Sequence, residues 1–170
     1  MKKIFLFCIF YTTVIFANPM PFGLELGKAN FDEVVKKYPN FSNAGTSIYT
    51  WGKIIEVSSS DFELEGLKDK VLFIFDKENR LTLVQLKFHK DRFNDILSSL
   101  SKYKIIKKEV PYVGNRYVKL QDGDCKIELE SPHLSFEMYL TYKTNQFEKL
   151  YKDYIKKEEQ ERKNKQNSIL

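Results

Sequence analysis

Asp91-Arg92-Phe93-Asn94-Asp95-Ile96-Leu97-Ser98-Ser99-Leu100-Ser101-Lys102-Tyr103 is the stretch that decides the fold. It sets Phe93, Ile96, Leu97 and Leu100 at i, i+3, i+4 and i+7, which gathers one apolar face on a helix. The same spacing occurs upstream at Phe31, Val34, Val35 and Tyr38, and downstream at Phe147, Leu150, Tyr151 and Tyr154. Each copy opens at a capping residue: Asn30 with Glu33, Asp91, and Asn145 with Glu148. Side-chain oxygens at such positions accept from helix amides that have no partner of their own. Only strand-like runs lie between the copies, so the chain reads helix, strands, helix, strands, helix.

Working outward, Val71 to Phe88 is the clearest hairpin. Val71, Phe73 and Phe75 alternate with Leu72 and Ile74, Asp76 to Arg80 turns the chain, and Thr82, Val84, Leu86 and Phe88 share a face on the return. Asp76 and Glu78 in that turn do not make a calcium loop, because Arg80 and Leu81 stand where oxygen ligands and a central glycine belong. Ser47 to Val57 reads as a strand with Tyr49, Trp51, Ile55 and Val57 on one face, and Phe62 to Glu65 as a short half-buried strand. Beyond the middle helix, Ile105 to Val110 and Tyr117 to Gln121 are strand-like. Asp122-Gly123-Asp124 marks a tight hairpin turn, since Asp-Gly tolerates positive backbone angles. Leu134, Phe136, Met138 and Leu140 alternate with polar residues as one long strand.

These readings predict an α+β fold: two antiparallel sheet modules, each with a helix on one face, plus a C-terminal helix. The expected boundaries are a signal peptide over 1–17 and a single domain over 18–156. Within that domain lie tandem modules at 20–88 and 89–143 and a closing helix at 145–156. A polar, mobile tail over 157–170 is expected because Lys, Glu, Gln, Arg and Asn dominate there.

Lys2 and Lys3, the apolar run Ile4 to Phe16, and the small Ala17 have the layout of a secretory signal peptide. The run is shorter than the roughly 20 residues a spanning helix needs, so cleavage after Ala17, and no stable membrane span thereafter, is expected over a retained anchor. Cys8 does not mark a lipoprotein, as Phe7 precedes it where a small residue is required. Charge points the same way. The formal net charge is +5, but Asn18 to Glu148 carries 19 basic and 19 acidic residues, while Lys149 to Leu170 carries 7 and 4. The basic character belongs to the ends, which removes the main support for nucleic-acid binding. Cys125 alone remains beyond residue 17, so no intramolecular disulfide forms there. It shares the alternating face of Ile127 and Leu129 and reads as a buried, inert thiol.

No nucleophile elbow, phosphate loop, dinucleotide fingerprint or Cys-x-x-Cys is present. His89 and His133 lack paired ligand spacing and read as turn-lining polar residues. No catalytic residue, metal ligand or cofactor is therefore assigned. Tyr49, Trp51, Tyr112 and Tyr117 lie in or beside turn-rich segments, where aromatics anchor a protein partner; the competing reading packs them in the core. Lys102, Lys104, Lys107 and Lys108 form a basic patch, read as a solvated face rather than an anionic-lipid site because Glu109 follows at once.

Gly23-Leu24-Glu25-Leu26-Gly27 running into Asn30-Phe31-Asp32-Glu33-Val34, then Val71 to Asp76 with its return strand, resembles the SmpA/BamE-like and beta-lactamase-inhibitor-like modules. The chain as a whole looks like a member of a small family of exported bacterial proteins. The resemblance covers about a third of the chain, and Gly27, Val34 and Phe75 match as structural positions only. It implies helices packed on one face of an antiparallel sheet, and non-catalytic binding to another protein of the cell envelope, in the periplasm or outside the cell. The chain lacks the acylation cysteine of the assembly lipoproteins. A periplasmic carrier of a small apolar or glycan ligand is the alternative, and an enzyme whose site is invisible in sequence the second alternative.

Overall fold

The computed structural model describes residues 18–168; the predicted signal peptide over 1–17 lies outside them. One antiparallel sheet of eight strands runs through the molecule in the order β1-β2-β3-β4-β8-β7-β6-β5. Its strands are β1 (Ser42–Thr46), β2 (Trp51–Ser58), β3 (Leu67–Asp76), β4 (Leu81–His89), β5 (Lys104–Glu109), β6 (Arg116–Asp122), β7 (Cys125–Ser131) and β8 (Glu137–Thr144). The helices are α1 (Phe31–Lys37), α2 (Phe93–Ser99) and α3 (Asn145–Asn167). Each of the first two helices is followed by a four-strand meander, and the last strands of the two meanders pair with each other. The α+β class and the antiparallel pairing are as expected, but two separate sheets are not formed. Seven consecutive pairs from Leu83↔Lys143 to His89↔Glu137 join β4 to β8. In that register Val84 meets Tyr142, Leu86 meets Leu140 and Phe88 meets Met138, so separating the halves would expose the centre of the core.

Period-two alternation sorts the sheet into two unlike faces. One face carries Ile55, Val57, Phe73, Phe75, Leu86, Phe88, Val118, Leu120, Ile127, Leu129 and Met138, all essentially inaccessible. Val34 and Tyr38 in and just past α1 and Phe93 and Leu100 around α2 close over it. Burial of such side chains contributes about 1.5–3 kcal/mol each, so this layer dominates stability. Cys125 sits in it, as expected, and burial pushes its thiol up to about 12. The opposite face has a small apolar cluster of its own: Ile74 and Leu83 with Phe147 of α3, joined by Tyr49, Ile54 and Leu72.

The helix starts show where local pattern suffices. Asn30 and Glu33 form a complete capping box, the Asn30 Oδ1 accepting from the Glu33 amide at 3.0 Å and the Asn30 amide donating to Glu33 Oε2 at 3.0 Å. Asp91 does not cap α2, which is preceded by a 3-10 turn over Lys90–Arg92 and is only seven residues long; Asp91 instead lies 2.8 Å from His89. For α3 the cap is Thr144, whose hydroxyl accepts from the Phe147 amide at 3.1 Å, so Asn145 is the first helical residue.

Several expected boundaries are corrected. The closing helix does not end at 156 but runs to Asn167, because Lys, Glu, Gln and Arg are good helix formers and i,i+4 contacts such as Lys157–Glu161 and Gln160–Asn164 support it. Its residues from Glu159 onward are exposed. Residues 47–50 form a turn rather than a strand, and 62–65 are a loop with Phe62 turned into the core. Leu134 and Phe136 are not part of β8; they stand 94% and 79% exposed in the loop before it.

The turn into β2 is tightly built. Ser47 Oγ accepts from the Tyr49 and Thr50 amides, and the Thr50 hydroxyl donates to the Phe75 carbonyl at 2.6 Å. A Cβ on Gly52 would lie 2.1 Å from that same carbonyl oxygen, so only glycine lets β2 approach β3 here. Trp51, just before it, is held at φ 59, an unusual conformation for a bulky residue.

Candidate binding face

The helix-free part of the sheet surface is a trough between α3 and the β2–β3 side. Its apolar end, about 310 Å³, is floored by Ile74, Leu83, Gln85 and Thr141, with Phe147 and Tyr151 of α3 as one wall and Tyr49 at the head. It shares Leu72 and Gln85 with a second depression that reaches Glu56, Lys70, Lys87 and Tyr139. The alternation that buries Val84 and Leu86 on one side necessarily turns Leu83, Gln85 and Lys87 toward this one. Gln85 and Thr141 face each other across β4–β8 and are joined by a 3.2 Å hydrogen bond.

Beside the trough lies a lattice of charge. Glu128 Oε2 takes Lys143 at 2.7 Å and Oε1 takes Lys119 at 3.0 Å, while the Tyr117 hydroxyl donates to Oε1 at 2.9 Å. Lys119 also reaches Glu148 of α3 at 2.6 Å, and Lys152 lies 3.0 Å from the same oxygen. Glu148 is buried. Burial by itself would raise its carboxyl, but the hydrogen bonds from Lys119 and Lys152 outweigh that and hold it down at about 2. Glu128 is likewise lowered, its burial overcome by Lys143, Lys119 and Tyr117. Burial, followed by the hydrogen bond to Glu128, pushes the Tyr117 phenol up. The lattice pins the first turns of α3 to β6, β7 and β8 and fixes one wall of the trough.

The four aromatic residues predicted as partner anchors are not gathered into one site. Tyr49 lines the trough head, its ring edge-on to Phe147, Tyr151 and Tyr154 at 6.0, 5.1 and 5.3 Å. Tyr117 is half-buried in the charge lattice, its hydroxyl committed to Glu128. Trp51 projects 75% exposed from its strained turn, and Tyr112 is fully exposed on the β5–β6 loop at the opposite end of the strands. Sequence reasoning missed Gln85, Thr141, Lys119, Lys143 and Glu148. For the first four the only signal is the polar member of each alternating pair in β4, β6 and β8, which is the signal of any solvated face; Glu148 carried the signal of a helix cap.

His89 ends β4 and His133 is exposed on the β7–β8 loop. No group of three or more His, Cys, Asp or Glu side chains placed to hold a metal occurs among the described residues. No described helix is long and apolar enough to cross a membrane. Comparisons with protein-family models, with curated proteins and with solved structures find no match to this chain.

Proposed function

We propose that this is an exported, non-catalytic cell-envelope protein that binds another protein across the open face of its sheet. Export rests on the signal-like sequence of residues 1–17. The binding mode rests on one observation, the composition of the trough. An apolar floor of Leu72, Ile74 and Leu83 adjoins the hydrogen-bonding Gln85 and Thr141 and a rim of Glu130 and the ion-paired Lys143 and Glu128. Apolar centre and polar rim is the make-up of a protein–protein contact, and a wall held by ion pairs keeps the ordering cost of binding low. The partner suited to it presents an apolar side chain toward Tyr49 and Tyr151 and polar groups toward Gln85 and Lys87.

A photo-crosslinking residue placed at Gln85, with a control at Lys36 on the helix-covered side, tests this in cells. One protein is expected to crosslink from position 85 and not from 36. Its affinity for the purified chain should then fall at least about tenfold on Leu72→Asp. Failure to crosslink any protein from position 85, together with a co-purified small molecule in native mass spectrometry, would replace this reading with that of a small-ligand carrier.

A further inference from the structure

At the end of the sheet away from α3, two loops carry four of the five most exposed large apolar side chains of the described chain. The β5–β6 loop presents Tyr112 at 105% and Val113 at 67% relative exposure, and the β7–β8 loop presents Leu134 at 94% and Phe136 at 79%. Both loops spring from adjacent strand ends, since Arg116 pairs with Ser131. They are tied together: the His133 amide donates to Asn115 Oδ1 at 2.8 Å, and Lys90 donates through its amide to the Phe136 carbonyl at 2.9 Å and through Nζ to the His133 carbonyl at 2.7 Å. Pro111 and Pro132 stiffen the start of each loop. The structure thus holds four large apolar groups out in water on a braced platform instead of folding them back onto the sheet.

The surroundings indicate what covers them. Residues 110–115 and 132–136 contain no Asp, Glu, Lys or Arg, so the tips carry no carboxylate, ammonium or guanidinium to register against a protein surface. Edge strand β5, exposed at every residue, leads into the first tip with Ile105 and Ile106 at 46% and 43%. Lys107 and Lys108 stand five and four residues before Tyr112, at most about 17 Å back along an extended chain at ~3.3 Å per residue. Lys107 is paired with Glu109 at 2.9 Å, whereas Lys108 makes no ion pair among the described residues. Lys102 and Lys104 lie at the far end of the strand beside Asp122 and Asp124 and take no part. Tips rich in Tyr, Leu and Phe, with Lys107 and Lys108 on the strand behind them, suit the interface of a bilayer, where aromatic and aliphatic groups bury and long cationic side chains reach lipid phosphates.

We infer that the loops at 110–115 and 132–136 are a peripheral membrane-docking tip, inserting Tyr112, Val113, Leu134 and Phe136 into the surface of an anionic bilayer. This reading is independent of the trough and leaves the sheet face free for a protein partner.

The test uses the chain from Asn18 onward, which contains every element described above and lacks the apolar run of residues 4–16. Vesicles of phosphatidylcholine with an equal part of phosphatidylglycerol, and of phosphatidylcholine alone, are the probes in a sedimentation assay. Binding is expected to the anionic vesicles, at least about fivefold stronger than to the neutral ones. It should fall at least tenfold in the Y112S/V113S/L134S/F136S variant and severalfold in K107Q/K108Q, with Lys36→Gln unchanged. Because the fourfold variant could lose its fold, a second readout places a polarity-sensitive fluorophore at position 134 through Leu134→Cys. Its emission should shift to the blue on anionic vesicles, and labelling at Lys36→Cys should give no shift. No sedimentation with either vesicle, sedimentation unaltered in a folded fourfold variant, or equal shifts at 134 and 36 would each overturn the inference.

Discussion

Replacing Glu148 by Gln tests the energetic reasoning at its most quantitative point. The carboxylate is 8% exposed and receives Lys119 at 2.6 Å and Lys152 at 3.0 Å. Lowering its pKa from near 4.5 to about 2 is worth at most roughly 3.5 kcal/mol at neutral pH, at about 1.4 kcal/mol per unit. Gln keeps the size and one acceptor oxygen, and Lys119 retains Glu128 at 3.0 Å. The expected loss is therefore smaller, about 1.5–2.5 kcal/mol, most of it from leaving Lys119 under-compensated. The sign with pH follows from the direction of the shift. A depressed carboxylate contributes its full stability above its unfolded value near 4.5 and loses it as the pH falls toward 2. Urea unfolding of both proteins between about pH 7 and pH 2.5 should thus show a difference that is constant down to about pH 5 and shrinks steadily below it. A difference under about 0.5 kcal/mol at neutral pH, or one that does not diminish in acid, would refute the account of the lattice.

Three further outcomes are expected. In the chain from Asn18 onward, Cys125, wholly buried and with its thiol pushed up to about 12, should react with a thiol reagent at about pH 8 only at the rate of global unfolding; labelling that is fast under native conditions would contradict the placement of β7. Truncation after Lys157 should change stability by under about 0.5 kcal/mol, because the turns removed are exposed, while reducing helical circular dichroism. Truncation before Asn145 should lower the melting temperature sharply, since it uncovers Ile74 and Leu83 and leaves Lys119 without Glu148.

Much of the fold is legible locally. The β3–β4 hairpin, the capping box at Asn30 and Glu33 and the Asp122-Gly123 turn are each set by residues within a few positions of one another, and each is where the pattern places it. Gly123 has the positive φ that the turn requires, 51°. What local pattern could not reveal is the pairing of β4 with β8, in which Leu86 meets Leu140. Two modules with unpaired inner edges and one continuous sheet have the same alternation. Only the cost of two open edges and the mutual fit of Val84, Leu86 and Phe88 with Tyr142, Leu140 and Met138 decide between them. Strand β1, Ser42-Asn43-Ala44-Gly45-Thr46, gave no signal at all, because an edge strand exposed on both faces needs no apolar residue.

The candidate site was legible only as residue types. Tyr49 lies in the turn before β2 and Tyr117 near the start of β6, yet one packs against α3 and the other surrenders its hydroxyl to Glu128, fates set by partners on other elements. Glu148 is the sharpest case. Its position three after Asn145 matches a capping box, and a local rule assigns it to the helix start. The helix begins one residue earlier with Thr144 as cap, which frees the Glu148 side chain to point at the sheet, where Lys119 of β6 stands. That single shift converts a local capping group into the bolt between α3 and the open face. It also explains why α3 walls the trough rather than covering it. Phe147 and Glu148 hold the first turns down, and Tyr151 and Tyr154 close against Tyr49. From Lys156 to Ser168 the helix then has no apolar residue to draw it across Gln85, Lys87 and Tyr139. The face stays open because the apolar stripe of α3 stops at Ile155.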